Sequence, residues 1–445
     1  AASDVYKRQG SELRVESAER ESAAVPSWTL CSLLCTLRSE RINGFRMKYA
    51  LILPDGAADE PVPSLDGSTP LAVARKPNMD WISMNGRQGT VRTVPEGYLP
   101  GSDVATLSVM GYDPKKYYTG RAPIEAAARN IRVGPNDLVY RCNLVTIVEG
   151  RMEDFTAGHI RQQEAERLIN DLNEKLGTDR IRFHVGVGYR HLMVFKDAAG
   201  TKVDCTPPHD IPGEPVARHL PRGRDAEEIR RLMTRSQEIL AGHDVNQVRH
   251  ELGENPATSI WLWGQGPMPR LDRFKDRFGV RGVGIGAVDL FRGVAVCAGW
   301  ALVDVPGATG FIDTDYAGKG RAAVTALDEY DLVAVHIEAP DEAGHMGDCA
   351  EKIKAIERID EHIVGPVLAK LRTFDEWRIL IAPDHPTPVR HRTHTAEPPP
   401  FCMAGTDVQG IYRETYNERN AADSDLHVDP GHELMEYFLK FGRRS

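Results

Sequence analysis

Short apolar runs of β-type residues recur along the chain, and three of them end where a proline stands beside acidic side chains. Residues 49–53 (YALIL) run into Pro54-Asp55-Gly56, and residues 331–338 (DLVAVHIE) run into Ala339-Pro340-Asp341. Residues 379–382 stop at Pro383, after which Asp384, His385 and His394 follow. Near-continuous apolar runs of this length predict buried strands of the kind found in parallel sheets. The prolines stop a helix from starting after residue 382, so the polar residues there are expected on a loop at the strand's carboxyl end. Open α/β sheets place their sites at that edge, where strands far apart in sequence come together.

Elsewhere the period changes. Ser102 precedes a helical pattern closed by Gly111, which predicts an N-cap hydroxyl and, at the same helix end, a favourable place for a phosphoryl group. From about 121 to 265, β-type and helical segments alternate without the strand-then-acid pattern. A strand is expected over 138–148 and another pair around 188–195. Residues 161–176 form an amphipathic helix with Ala165, Leu168, Ile169, Leu172 and Leu176 on one face, and 225–240 a second helix. Residues 261–267 have linker chemistry and are expected to mark a domain boundary. Gly282, Gly284 and Gly286 give GxGxG, which is not a dinucleotide fingerprint. Residues 349–371 are expected to be one long helix with Ile353, Ile356, Ile363, Val367 and Leu371 in the core. Residues 1–46, rich in Ser, Glu and Arg, are expected to be a disordered extension, with Met47 the natural start.

A length of 445 residues implies about two domains. The net charge of −9 gives no electrostatic footprint for nucleic acid or an anionic membrane. No apolar run approaches the ~18 residues of a membrane span. The seven cysteines are dispersed and never spaced CxxC, which suits reduced thiols in a cytoplasmic protein.

Asp55, Asp341 and Asp384, with His345, His385 and His394, offer three carboxylates and three imidazoles. Such a mixed set suits Mn²⁺ or Zn²⁺ better than Mg²⁺, and six ligands exceed the need of one ion, which argues for two. Two divalent ions serve phosphoryl transfer, with Ser102 as the nucleophile. His159 and the arginines of the middle region are then expected to exchange protons with an anionic substrate and clamp it.

The stretches LPDGAAD (53–59), PGSDVATLSVMGYDP (100–114), YYTGRAPIEAA (117–127), TAGHI (156–160), EAPDEAGH (338–345) and APDHPTPVRHRTHT (382–395) carry a resemblance. Over residues 47–445 the chain resembles the cofactor-independent phosphoglycerate mutases, archaeal-type branch, of the alkaline phosphatase superfamily. The resemblance implies an α/β fold, with an alkaline-phosphatase-like three-layer αβα domain (47–120 and 266–445) and an inserted smaller α/β phosphotransferase domain (121–265). It implies Asp55, Ser102, Asp384 and His385 as ligands of one metal, and Asp341, His345 and His394 as ligands of the other. Ser102 would carry the phosphoryl group, His159 would transfer protons, and Arg190, Arg121 and Arg292 would contact the substrate. The expected cofactors are two divalent ions, Mn²⁺ first, with Zn²⁺, Co²⁺ or Mg²⁺ as alternatives, and no bisphosphoglycerate. The expected partner is a small phosphorylated hydroxy acid. RCNLVT (141–146) and PPHDIPG (207–213) are similar to bacterial relatives proposed to be homoserine kinases, which share the metal and serine motifs. A binding protein that keeps the fold without chemistry would have lost ligands, and all seven positions hold competent side chains.

Overall fold

In the computed structural model, residues 47–411 and 413–441 are described; the expected extension and start site fall outside the described residues, apart from Met47 itself. The three strand-then-acid runs become neighbouring parallel strands. Lys48–Pro54 lies between Leu332–Ile337 and Trp377–Ile381, with Ile52 opposite both Val335 and Ile381. The eight-stranded sheet continues through Gly282–Ile285 to Ala301–Val303 on one side. On the other it continues through Pro400–Gly405 and Arg87–Val91 to His427–Val428, and only Pro400–Gly405 runs against the rest.

Side chains on the central strand alternate between two cores. Ala50 and Ile52 join one with Val333, Val335, Ile356 and Ile363, while Tyr49, Leu51 and Leu53 join the other with Leu107, Phe291 and Leu434. Burial on both faces is what makes the strand sequences nearly continuously apolar. Helices cover each face, so the α/β expectation holds.

The second sheet is antiparallel and five-stranded. Leu138–Val148 pairs with Arg151–Asp154, Arg190–Phe195 and Ser259–Gly266, and Ile181–Val187 pairs with Arg190–Phe195. Helices Gln162–Leu176 and Ala226–Ala241 pack on one face, with all five predicted apolar positions of the first buried.

Three expectations are corrected. Residues 261–267 are mostly strand, not linker: Trp261 is buried and pairs with Asn143. The 349–371 helix is interrupted by a π-helical turn, Asp360–Val364. Pro366 has no N–H and its ring crowds the preceding turn, and widening the ladder there accommodates it. Ser102 is not a cap; Gly101 holds the N-cap position and Ser102 is the first residue of the helix Ser102–Val109. The glycines near 282–286 serve packing, since a Cβ at Gly284 would meet Phe291 and Leu302. Among the described residues, no helix is long and apolar enough to cross a membrane.

Candidate active site

The register of the central strands aligns their ends. Asp55 and Asp384 each stand three residues beyond the paired Ile52 and Ile381. The Asp55 amide donates to the Ile337 carbonyl at 3.0 Å, and the Gly56 amide reaches Asp384 Oδ1 at 3.4 Å. Gly56 has φ +61, and a Cβ there would come within 2.6 Å of Asp341 Oδ1, so the residue must be small for the third aspartate to approach. Asp341 and His345 occupy one face of the short helix Ala339–Met346 at i, i+4 spacing.

Six side chains then fall into two groups. Asp55, Asp384 and His385 converge with no solvent access of note, and Asp341, His345 and His394 converge beside them, the ligand-capable atoms of each group lying within 4.8 Å of one another. In the first, His385 Nε2 is 3.4 Å from Asp55 Oδ1 and 3.6 Å from Asp384 Oδ2. Ser102 Oγ lies 3.1 Å from the same His385 nitrogen. In the second, His345 Nε2 is 3.2 Å from Asp341 Oδ2 and 3.0 Å from His394 Nε2, while the Arg392 carbonyl lies 3.0 Å from His345 Nδ1. The groups touch, since the His385 and His394 rings are 4.2 Å apart.

Burial raises the Asp55 carboxyl far above its usual range, and the neighbouring Asp384, Glu338 and Asp341 add to this. Burial also pushes Glu338 up to about 8, with Asp341 contributing. Burial opposes charge on His345, yet Asp341 beside it lifts the imidazole to about 9. Asp55 Oδ1 and Asp384 Oδ2 are buried without a hydrogen-bond partner among the described residues. Anionic oxygens left so in a protein interior are normally met by a cation. The donor set therefore fits divalent metal ions.

Side chains not singled out from the sequence complete the setting. His336 Nε2 is 2.9 Å from Asp55 Oδ2 and, with Glu338, forms a further acid–imidazole group around Asp55. Both lie within the apolar run 331–338, where polar residues in a two-face buried strand were the available signal. Thr387 donates to Asp341 Oδ1 and stands 3.3 Å from His385 Nδ1. Lys352 is fully buried and its ammonium donates to Asp59, to the Ala58 carbonyl and to the Thr387 carbonyl.

A cavity of about 840 Å³ opens onto His345 and His394, lined also by Tyr98, Arg121, His209 and Trp263. Arg121 is held by Glu125 at 3.1 Å, and Glu125 also faces Arg141 at 3.3 Å. Arg190 is exposed, makes no ion pair among the described residues, and its charge is felt by Glu125 and Glu342. Arg292 instead pairs with Asp304 at 2.8 Å and donates to the Gly286 carbonyl, away from the cavity lining. His159 is exposed in a separate depression with Arg161, Arg249 and Asn255. Its loop is fixed there because Asp154 accepts from the Gly158 amide and Arg249 donates to the Ala157 carbonyl.

The family model for 2,3-bisphosphoglycerate-independent phosphoglycerate mutase matches residues 84–246. A protein of that name from Methanothrix thermoacetophila is 50% identical over 394 residues, covering 88% of this chain and 100% of its own length. A Geobacter sulfurreducens protein named as a probable member is 48% identical over 398 residues, again with 88% of this chain and 100% of its own. Among solved structures, a Pyrococcus horikoshii protein superposes with a TM-score of 0.75 at 27% identity, covering 89% of this chain and 97% of its own. The cofactor-independent phosphoglycerate mutase of Thermoplasma acidophilum shares the fold, with a TM-score of 0.60 at 24% identity over 88% of this chain and 99% of its own.

Proposed function

The chain belongs to the 2,3-bisphosphoglycerate-independent phosphoglycerate mutase family, and we propose that it interconverts 3-phosphoglycerate and 2-phosphoglycerate through a phosphoserine at Ser102. The observation that carries this reading is the position of Ser102. Its Oγ lies 3.1 Å from His385 Nε2, at the start of a helix and against the Asp55–Asp384–His385 group. A helix N-terminus favours the charge of a phosphoryl group attached there.

Asp55, Asp384, His385 and Ser102 would hold one divalent ion, and Asp341, His345 and His394 the other; Mn²⁺ suits this set. Bound there, the ions supply charge neutralisation for the transferring phosphoryl group and favour the ionised serine. The chain's own residues do the rest. Ser102 Oγ attacks phosphorus, the glycerate stays in the cavity, and the phosphoryl group returns to its other hydroxyl. Arg121, and Arg190 from the second sheet, suit the carboxylate and phosphate charges. Arg292 is occupied by Asp304, which leaves it a weaker substrate contact.

Retention of glycerate requires that water be kept from the phosphoserine. We assign this to residues 121–265 acting as an inserted domain over the metal-bearing remainder, 47–120 and 266–445. The two connections run side by side, with Thr119 Oγ1 donating to the Pro267 carbonyl at 2.7 Å. Such a paired crossing suits a hinge.

The test is an assay of the purified chain with 3-phosphoglycerate and Mn²⁺ without bisphosphoglycerate, set beside homoserine plus ATP. Formation of 2-phosphoglycerate supports the reading. Turnover of homoserine alone would replace it with the kinase activity.

A further inference from the structure

One hydroxyl stands between the two acid–imidazole groups and belongs to neither. Thr387 is fully buried, and its Oγ1 donates to Asp341 Oδ1 of one group while lying 3.3 Å from His385 Nδ1 of the other. Its backbone is pinned as well: the amide donates to the Ala58 carbonyl at 3.3 Å, and the carbonyl accepts from Lys352 Nζ at 2.8 Å. Space is cleared for the side chain from both groups. A Cβ at Gly56, next to Asp55, would come within 2.6 Å of Thr387 Oγ1. One at Gly344, on the helix that carries Asp341 and His345, would come within 2.8 Å of Thr387 Cγ2.

A hydroxyl has one proton to give and lone pairs with which to accept. The proton of Thr387 goes to Asp341, so towards His385 the same oxygen accepts, and the hydrogen of that contact sits on His385 Nδ1. Nε2 is then the nitrogen with the free lone pair. That nitrogen faces Asp55 Oδ1 at 3.4 Å, Asp384 Oδ2 at 3.6 Å and Ser102 Oγ at 3.1 Å. His345 is held in the same sense, its Nδ1 lying 3.0 Å from the Arg392 carbonyl and its Nε2 turned to Asp341 and His394. At His345 the acceptor is a backbone oxygen. At His385 it is a hydroxyl already bonded to the other group, and among the described residues it is the one hydrogen-bond partner of Nδ1.

We infer that Thr387 is a positioning residue that ties the two metal sites together: its single hydroxyl fixes both the ring nitrogen that His385 offers to one ion and the carboxylate that Asp341 offers to the other. The assignment rests on the two-ion form of the mutase reading. Its consequence differs from that of losing a ligand. Removal of a ligand weakens the site to which it belongs, whereas removal of this hydroxyl deprives a buried Nδ1–H and a buried carboxylate oxygen of their partner in both sites at once. Groups that orient a metal-ligating side chain are typically worth about 10- to 100-fold in metal affinity.

The test is calorimetric titration of the full chain, freed of metal, with Mn²⁺. The unaltered protein is titrated first, and uptake of fewer than two equivalents would overturn the two-ion reading and this assignment with it. Given two, Thr387→Val, which keeps the shape of the side chain, should weaken both equivalents by about 10- to 100-fold. Thr387→Ser, which keeps the hydroxyl, should hold both within about threefold. Thr387→Ala is titrated alongside, so that an answer remains should the methyl that valine places beside Asp341 impair folding. A hydroxyl that served packing alone would lower the melting temperature of the metal-free variants and leave both affinities in place. The assignment alone is overturned if the valine and alanine variants weaken only one equivalent or neither, or if the serine variant binds as weakly as the valine variant.

Discussion

Lys352 Nζ sits 2.8 Å from Asp59 Oδ2 in a place where neither side chain meets solvent. The same ammonium donates to the carbonyls of Ala58 and Thr387, and Asp59 accepts from the Val389 amide. One buried cation thus joins the loop after Asp55 to the loop after His385. The pair lies outside both acid–imidazole groups and sets where their loops run.

Removing one partner of such a pair leaves an uncompensated buried charge. Lys352→Met should lower unfolding free energy by about 3–5 kcal/mol, read from denaturant melts. A variant as stable as the parent would show that the loops do not depend on this contact.

Gly56→Ala combines a left-handed backbone, φ +61, with a Cβ that would meet Asp341 Oδ1 at 2.6 Å. Strain of this kind costs on the order of 1–3 kcal/mol, and relief requires Asp341 to move. Melting temperature and metal affinity should therefore fall together. Loss of stability with unchanged metal affinity would mean that the turn gives way without disturbing Asp341.

Titration with Mn²⁺ should show two equivalents, Asp55→Asn weakening one and Asp341→Asn the other. Chelation should lower the melting temperature, because ligand binding at about 100 times Kd stabilises by about 2.7 kcal/mol per site. Equal weakening of both equivalents by either variant would show that the two groups bind as one.

Ser102→Ala should abolish labelling of the protein by substrate phosphate, measured by mass spectrometry after quenching, while the melting temperature stays near that of the parent. The variant loses one side-chain hydrogen bond, that between Ser102 Oγ and His385 Nε2, which is worth only about 1 kcal/mol. Persistent labelling would place the phosphoryl group on another side chain.

The strand ends were legible because burial on two faces writes itself into sequence as unbroken apolar runs, as at 49–53 and 379–382. The ligand groups followed from those ends, since parallel pairing dictates that Asp55 and Asp384 emerge side by side. Residues 261–267 misled because Gly264, Gly266 and Pro267 resemble a linker, although Trp261 and Trp263 belong to a strand buried by tertiary packing. Lys352 lay on the apolar stripe with Ala355, Ile356 and Ile359, a signal that a helix-period reading can use.

The order of strands also has a consequence during synthesis. Gly56 and Asp384, which touch in the finished molecule, are separated by 328 positions along the chain. The strand Lys48–Pro54 must wait for both of its neighbours, which emerge late from the ribosome, whereas the antiparallel sheet has all its strands by Gly266. Long-range parallel pairing of this kind closes slowly. The Asp55–Asp384–His385 group therefore comes into being only near the end of translation, and a truncated chain lacking residues beyond 376 would have neither acid–imidazole group complete.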